Sequence, residues 1–322
     1  MKIVVLHGWL RGNLGDYSLA RIIIGFLRAR YPNATIVMAS EPRDTWNIPE
    51  DFLQCIDHYV ERSFRIDPSD LLEQASVVIQ MAGGGMQDLN DKRGGWMLRD
   101  ADLCHEKGVK HILAGHSFHP SFDLERLKHS LVLAREPMSY QLMVSRGIPA
   151  ILTADPAFLE PVQVYTELPR KHTALFLRRK HIKEISIESS VITLDDRRIE
   201  YTAVPLVLAS SDPVRDDDVL LPIAEKYDLR YERCLDMPHL LSIIGSSQHV
   251  ISDRYHPIIF AAMLGVPWTF MKRHGSVRDE GLEKHLRERS LSELSALATS
   301  GLESMAKFIE DERQDKITAL FP

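Results

Sequence analysis

Short apolar runs alternate with amphipathic stretches along most of the chain. Ile3–His7 has the length and composition of a strand, and Tyr17–Arg30 then carries Leu19, Ile22, Ile23, Phe26 and Leu27 at the spacing of a helix with one buried face. The same alternation continues. Strands are expected at Thr35–Ala39, Ser76–Met81, His111–Ala114, Leu131–Ala134 and Ala150–Thr153, and helices at Trp96–Lys107 and Met138–Arg146. Runs that are apolar throughout suit strands buried on both faces, so the alternation implies a mostly parallel sheet between two layers of helices.

The pattern weakens between Glu160 and His172, which include Pro161 and Pro169, and then restarts. Strands at Ala174–Leu177, Val204–Ala209, Leu229–Glu232, His249–Ile251 and Trp268–Met271, with helices at Pro213–Lys226, Leu235–Ile244 and Pro257–Leu264, make a second unit of the same kind. Ile185–Tyr201 fits either a hairpin or a short irregular helix. After Ser290, the spacing of Leu291, Leu294, Leu297, Met305 and Ile309 predicts a helical tail that can return to the first unit. The division is therefore 1–165 and 166–322, two α/β domains facing a cleft.

Composition narrows the class. Of 322 residues, 44% are hydrophobic and 26% charged, as in ordinary globular proteins. A net charge of −6 without a basic stripe argues against a nucleic-acid partner. The three cysteines Cys55, Cys104 and Cys234 are too few and too scattered for a disulfide framework or a zinc site, and fit a reducing compartment. No targeting segment is evident, and the apolar stretch Ile258–Trp268 is too short to span a bilayer, so a cytoplasmic location is expected.

In open α/β sheets ligands gather beyond the carboxyl ends of the strands, so the loops there carry the candidate chemistry. After the first strand comes Gly12-Asn13-Leu14-Gly15-Asp16, where Asp16 either caps the following helix or meets a ligand. Gly83-Gly84-Gly85, with Gln87 and Asp88 close behind, suits close approach to a ligand or to the opposing domain. Gly115-His116-Ser117-Phe118-His119-Pro120 reads as a substrate-facing loop, since no third ligand supports a metal. Arg135 can contact a ligand or pair with Glu136 or Asp155, and Asp155-Pro156 suits a turn. Arg178-Arg179-Lys180 forms an anion-attracting cluster. The strongest segment is Ser252-Asp253-Arg254-Tyr255-His256-Pro257, between a strand and a helix that Gly265 ends. A cationic pair at a helix start runs against the usual acidic preference there and suits a bound anion.

This ordered set resembles the polysaccharide pyruvyltransferase family, from the Gly12–Asp16 loop through Gly83-Gly84-Gly85 with Asp88, Arg135–Ser139, Asp155–Phe158 and Arg178 to Ser252–His256 with Gly265-Val266-Pro267. Tyr255 stands where the family usually has Leu. The resemblance implies a glycosyltransferase-B-like pair of Rossmann-like domains, the first for the acceptor and the second for the donor. It also implies transfer of a pyruvyl group from phosphoenolpyruvate to a sugar of a surface polysaccharide or its precursor, forming a ketal, with no cofactor and no metal. Arg178, Arg254 and His256 would hold the donor; His256 would move the proton, with Asp16 and Asp88 as further catalytic candidates. Ser252, Asn13, Gly84, Gly85, Arg135 and His116 complete the expected binding set. A lipid-linked acceptor would bring peripheral membrane contact, and a homo-oligomer stays open. The alternatives are a nucleotide-sugar glycosyltransferase on the same architecture and a non-catalytic glycan- or phosphate-binding protein.

Overall fold

The structure, a computed structural model, describes residues 1–8, 10, 13–41, 48–81, 86, 93–177, 200–204, 216–234, 236–272 and 275–311. The first unit is a seven-stranded parallel sheet. Its strands are β1 (Lys2–Gly8), β2 (Thr35–Ser40), β3 (His58–Glu61), β4 (Val77–Met81), β5 (Lys110–His116), β6 (Ser130–Ala134) and β7 (Ala150–Leu152), in the order β3-β2-β1-β4-β5-β6-β7. The central strands are buried on both faces, and Ile3, Val4, Val5, Val77, Val78 and Ile79 are all closed to solvent. Helices α1 (Leu14–Arg30), α2 (Glu50–Leu53), α3 (Arg93–Glu106) and α4 (Pro137–Ser145) connect the strands. The order reverses between β1 and β4, which leaves a crevice at their carboxyl ends.

The chain passes to the second unit between Leu159 and His172. Glu160 is buried on the way and accepts hydrogen bonds from Ser18 and Arg21 of α1. The second sheet has the order β10-β9-β8-β11-β12, also parallel, from β8 (His172–Phe176), β9 (Glu200–Ala203), β10 (Arg230–Tyr231), β11 (Ser247–Ser252) and β12 (Trp268–Phe270). Helices α5 (Asp217–Tyr227), α6 (Met237–Gly245), α7 (Tyr255–Met263) and α8 (Val277–Glu288) accompany it.

Helix α9 (Leu291–Glu310) then returns to the first sheet. Ser290 and Glu293 form a capping box at its start. Thr153 donates to the Leu297 carbonyl at 3.0 Å, Lys110 to those of Phe308 and Ile309 at 3.0 and 2.9 Å, and Arg30 holds Glu310. One continuous apolar cluster joins α1, α9, α6 and α7, so the two units share a core.

Most expected elements fall within a residue or two of their places. Of the strand expected at Val204–Ala209 only Val204 is described, just after β9, and 205–209 lie outside the described residues. Of Ile185–Tyr201 only the last two residues are described, and they belong to β9. Strand β3 and helices α2 and α8 were not expected.

Candidate active site between the two sheets

The β11–α7 turn is built by its own serine. Ser252 Oγ accepts from the Arg254 amide at 2.8 Å and donates to the Phe176 carbonyl at 3.1 Å, which ties the turn to β8. Ser252 is completely buried, and its hydroxyl is engaged with backbone. The Arg254 guanidinium is buried against Asp216, the residue before α5. Its Nε has no hydrogen-bond partner among the described residues. Nothing in the sequence marked Asp216, because the pairing depends on how α5 docks beside β11.

His256 follows in the first turn of α7, 6% exposed. Its ring lies against Gly15 of the first unit so closely that a side chain at Gly15 would overlap the imidazole. That contact requires glycine in the loop. Asn13 caps α1, its Oδ1 accepting from Gly15 N at 3.1 Å, and its Nδ2 donates to Asp16 Oδ2 at 2.7 Å. Asn13, and not Asp16, is therefore the capping residue; Asp16 sits in the first turn with its carboxylate beside the cap.

On the far side of His256 is Asp155, fully buried, with Oδ2 3.9 Å from His256 Nε2. That distance is too long for a direct hydrogen bond and short enough for strong attraction to an imidazolium. The same oxygen accepts from Arg135 at 2.9 Å, while Oδ1 accepts from the Ala157 amide at 3.0 Å and caps the turn Pro156–Leu159. Arg135 also donates to Ser117 Oγ at 3.0 Å and lies 4.3 Å above the Tyr255 ring. Burial opposes its charge, but Tyr255, Asp155 and Asp16 outweigh burial and hold its pKa above the ordinary value. Arg278 of α8 also lies over the Tyr255 ring, at 5.3 Å. The tyrosine that replaces the usual leucine thus meets one arginine from each unit.

Arg135, expected to bind substrate, is 4% exposed and engaged with Asp155 and Ser117. His116, expected in a substrate-facing loop, ends β5 completely buried, with Nε2 3.2 Å from the Gln80 carbonyl. Burial pulls its pKa down to about 3, so it is neutral. Glu136, next to Arg135, caps α4 through the Met138 and Ser139 amides and packs against Gly281 of α8. Asp88, Gly84, Gly85 and Arg178 lie outside the described residues. Among the described residues no group of three potential ligands could hold a metal ion. No helix among them is long and apolar enough to cross a membrane. A groove of about 960 Å³ at Lys2, Thr35, His58 and Ser76 lies at the amino ends of the first sheet, away from this chemistry.

The family model for polysaccharide pyruvyl transferases matches residues 13–275. No curated protein sequence matches the chain. Among solved structures, a UDP-GlcNAc 2-epimerase from Neisseria meningitidis superposes with a TM-score of 0.61 at 11% identity, over 95% of this chain and 100% of that one. The corresponding epimerase from Methanocaldococcus jannaschii gives 0.59 at 12% identity, over 98% and 94%. A glycosyltransferase from Rickettsia africae gives 0.57 at 11% identity, over 97% and 99%. At such identities the likeness establishes the fold, two parallel-sheet α/β domains of the glycosyltransferase-B kind.

Proposed function

Because the chain belongs to the polysaccharide pyruvyl transferase family, a family of transferases acting on saccharides, we propose that it moves a pyruvyl group from phosphoenolpyruvate to a sugar, with His256 at the reacting centre. The observation that carries this reading is the meeting of motifs from both units: Gly15 and Asp155 flank the His256 ring from the first unit, and Arg254 precedes it on the second.

The arrangement suits the chemistry. Phosphoenolpyruvate carries a phosphate and a carboxylate, and the amino end of α7 with Arg254 supplies donors and positive charge for an anion. Asp216 orients the Arg254 guanidinium while leaving other donors for the ligand. Arg178, outside the described residues, would add a second cation. Asp155 Oδ2, 3.9 Å from His256 Nε2, faces the ring that would give up the proton. A proton passing from His256 to the methylene carbon leaves a cationic carbon at C2. A sugar hydroxyl adds there, and a second hydroxyl of the same sugar then displaces phosphate, which leaves with its bonding pair. Of the two hydroxyl protons released, one replaces the proton His256 gave and the other leaves with phosphate. Arginine stabilises the departing charge. A lipid-linked precursor as acceptor would place the enzyme at a membrane surface.

The test is phosphate release from phosphoenolpyruvate with saccharide acceptors. Arg254→Ala and His256→Ala should each lower turnover by about 10³-fold or more, with folding checked by melting temperature. Full activity in either variant sinks the assignment. Thermal stabilisation by UDP-sugars but not by phosphoenolpyruvate would point instead to a nucleotide-sugar glycosyltransferase.

A further inference from the structure

A second histidine lies at the carboxyl end of the first sheet, and nothing above uses it. His7 is the next-to-last residue of β1, whose neighbour β4 lies at the point where the strand order reverses. Its backbone is left-handed, with φ 59°, a conformation unusual for a residue with a side chain. Its Nε2 is 2.6 Å from Asp100 Oδ2 of α3, and both residues are buried. Asp100 is itself fixed, because Arg99 donates to its other oxygen at 2.8 and 2.6 Å. The carboxylate accepts, so Nε2 carries a proton, and in the neutral form of the ring Nδ1 bears the lone pair.

That Nδ1 has no hydrogen-bond partner among the described residues. Two neighbouring groups share the condition. Gln80 of β4 donates from Nε2 to the Met97 carbonyl, one turn before Asp100 on α3, and its Oε1 is unpartnered. His116 is tied to the Gln80 carbonyl through Nε2, and its Nδ1 is unpartnered too. Buried polar atoms rarely stay unpaired, and three acceptor atoms on the adjacent strands β1, β4 and β5 fit a ligand rich in hydroxyl donors. A carboxylate-held imidazole is also the arrangement that accepts a hydroxyl proton well.

We propose that the His7–Asp100 pair is the acceptor-hydroxyl site: His7 Nδ1 accepts a hydrogen bond from the saccharide and takes that hydroxyl's proton, Asp100 being the positioning residue. The transfer step rests on the pyruvyl-transfer reading; the saccharide site does not. As the oxygen lone pair forms the bond to C2 of the protonated donor, the hydroxyl proton moves to Nδ1 and the O–H electron pair stays on oxygen. His7 is thus the base for this first addition, and its proton passes on to the departing phosphate. His7 lies eight positions before Gly15, which packs against His256, so one short stretch of chain carries both the acceptor and the donor contacts.

The experiment uses the full chain, with methyl glycosides of glucose, galactose and mannose as probes. Saturation-transfer NMR reads glycoside binding, thermal shift reads phosphoenolpyruvate binding, and phosphate release reads turnover. His7→Gly relieves the left-handed backbone, so its melting temperature should stay within about 4 °C of the wild type. Its glycoside affinity should fall at least tenfold and its phosphate release about 100-fold, with phosphoenolpyruvate binding unchanged. Asp100→Asn should lower kcat more than it weakens glycoside binding. Wild-type protein that binds none of the glycosides, or a His7→Gly variant that binds or turns over as well as wild type, overturns the proposal. So does a His7→Gly variant that unfolds, since the pair would then be holding the fold. Glycoside binding that depends on His7, in a protein that ignores phosphoenolpyruvate, would remove the pyruvyl donor and keep the saccharide site.

Discussion

Gly15 and Asp155 carry the most exacting demands on single residues. Alanine at position 15 suits the first turn of a helix better than glycine, by up to about 1 kcal/mol. Its methyl would nevertheless displace the His256 ring. Gly15→Ala should therefore lose about 100-fold or more in turnover with little change in melting temperature, measured by phosphate release and thermal denaturation. Asp155→Asn leaves Arg135 charged and buried without its carboxylate. A cost of about 3–5 kcal/mol is expected from urea denaturation. The double variant Arg135→Met, Asp155→Leu should recover most of that loss and none of the activity, because His256 loses the Asp155 carboxylate. The sequence offered Asp155 as one possible partner of Arg135, and the structure makes that pair. Asp155 before Pro156 also reads as a turn, which it is, but the contacts of Asp155 and Gly15 with His256 appear only when the second unit arrives. His7 gave no signal at all, since a histidine ending an apolar run has no pattern to betray a left-handed backbone.

Elements were more legible than residues where burial is two-sided. β1, β4, β6 and β8 are runs buried at almost every position, and such runs stand out in any sequence. β3 is a sheet edge of half-exposed residues, His58-Tyr59-Val60-Glu61, and offers no apolar run. α8 is mostly charged and buries Arg278, Asp279 and His285 through tertiary contacts that periodicity cannot anticipate. Helix α9 shows both sides. Its apolar spacing and its Ser290–Glu293 cap were readable, but its docking site was not. Docking depends on Gly301, where a side chain would overlap Thr153. Gly301→Val should cost about 1–3 kcal/mol by overpacking and raise hydrogen exchange in 291–310 before the rest of the molecule.

At the scale of the whole molecule, buried histidines couple stability to acid. Burial lowers the pKa of His111 and of His116 to about 3, well under the ordinary 6.5. Between those values the unfolded chain binds protons that the folded one refuses. Stability should be flat above pH 6.5 and fall below it, by about 1.4 kcal/mol per pH unit for each histidine, until pH nears 3. Urea midpoints at pH 7 and pH 5 measure the slope, and His111→Gln, which keeps a partner for Ser130, should reduce it. The return of α9 has a consequence of another kind. The chain crosses between the two sheets once on the way to β8 and again on the way to α9. Two covalent crossings and one shared apolar core tether the units, so the His256 wall and the Gly15 wall are held in register by parts of the chain far from either.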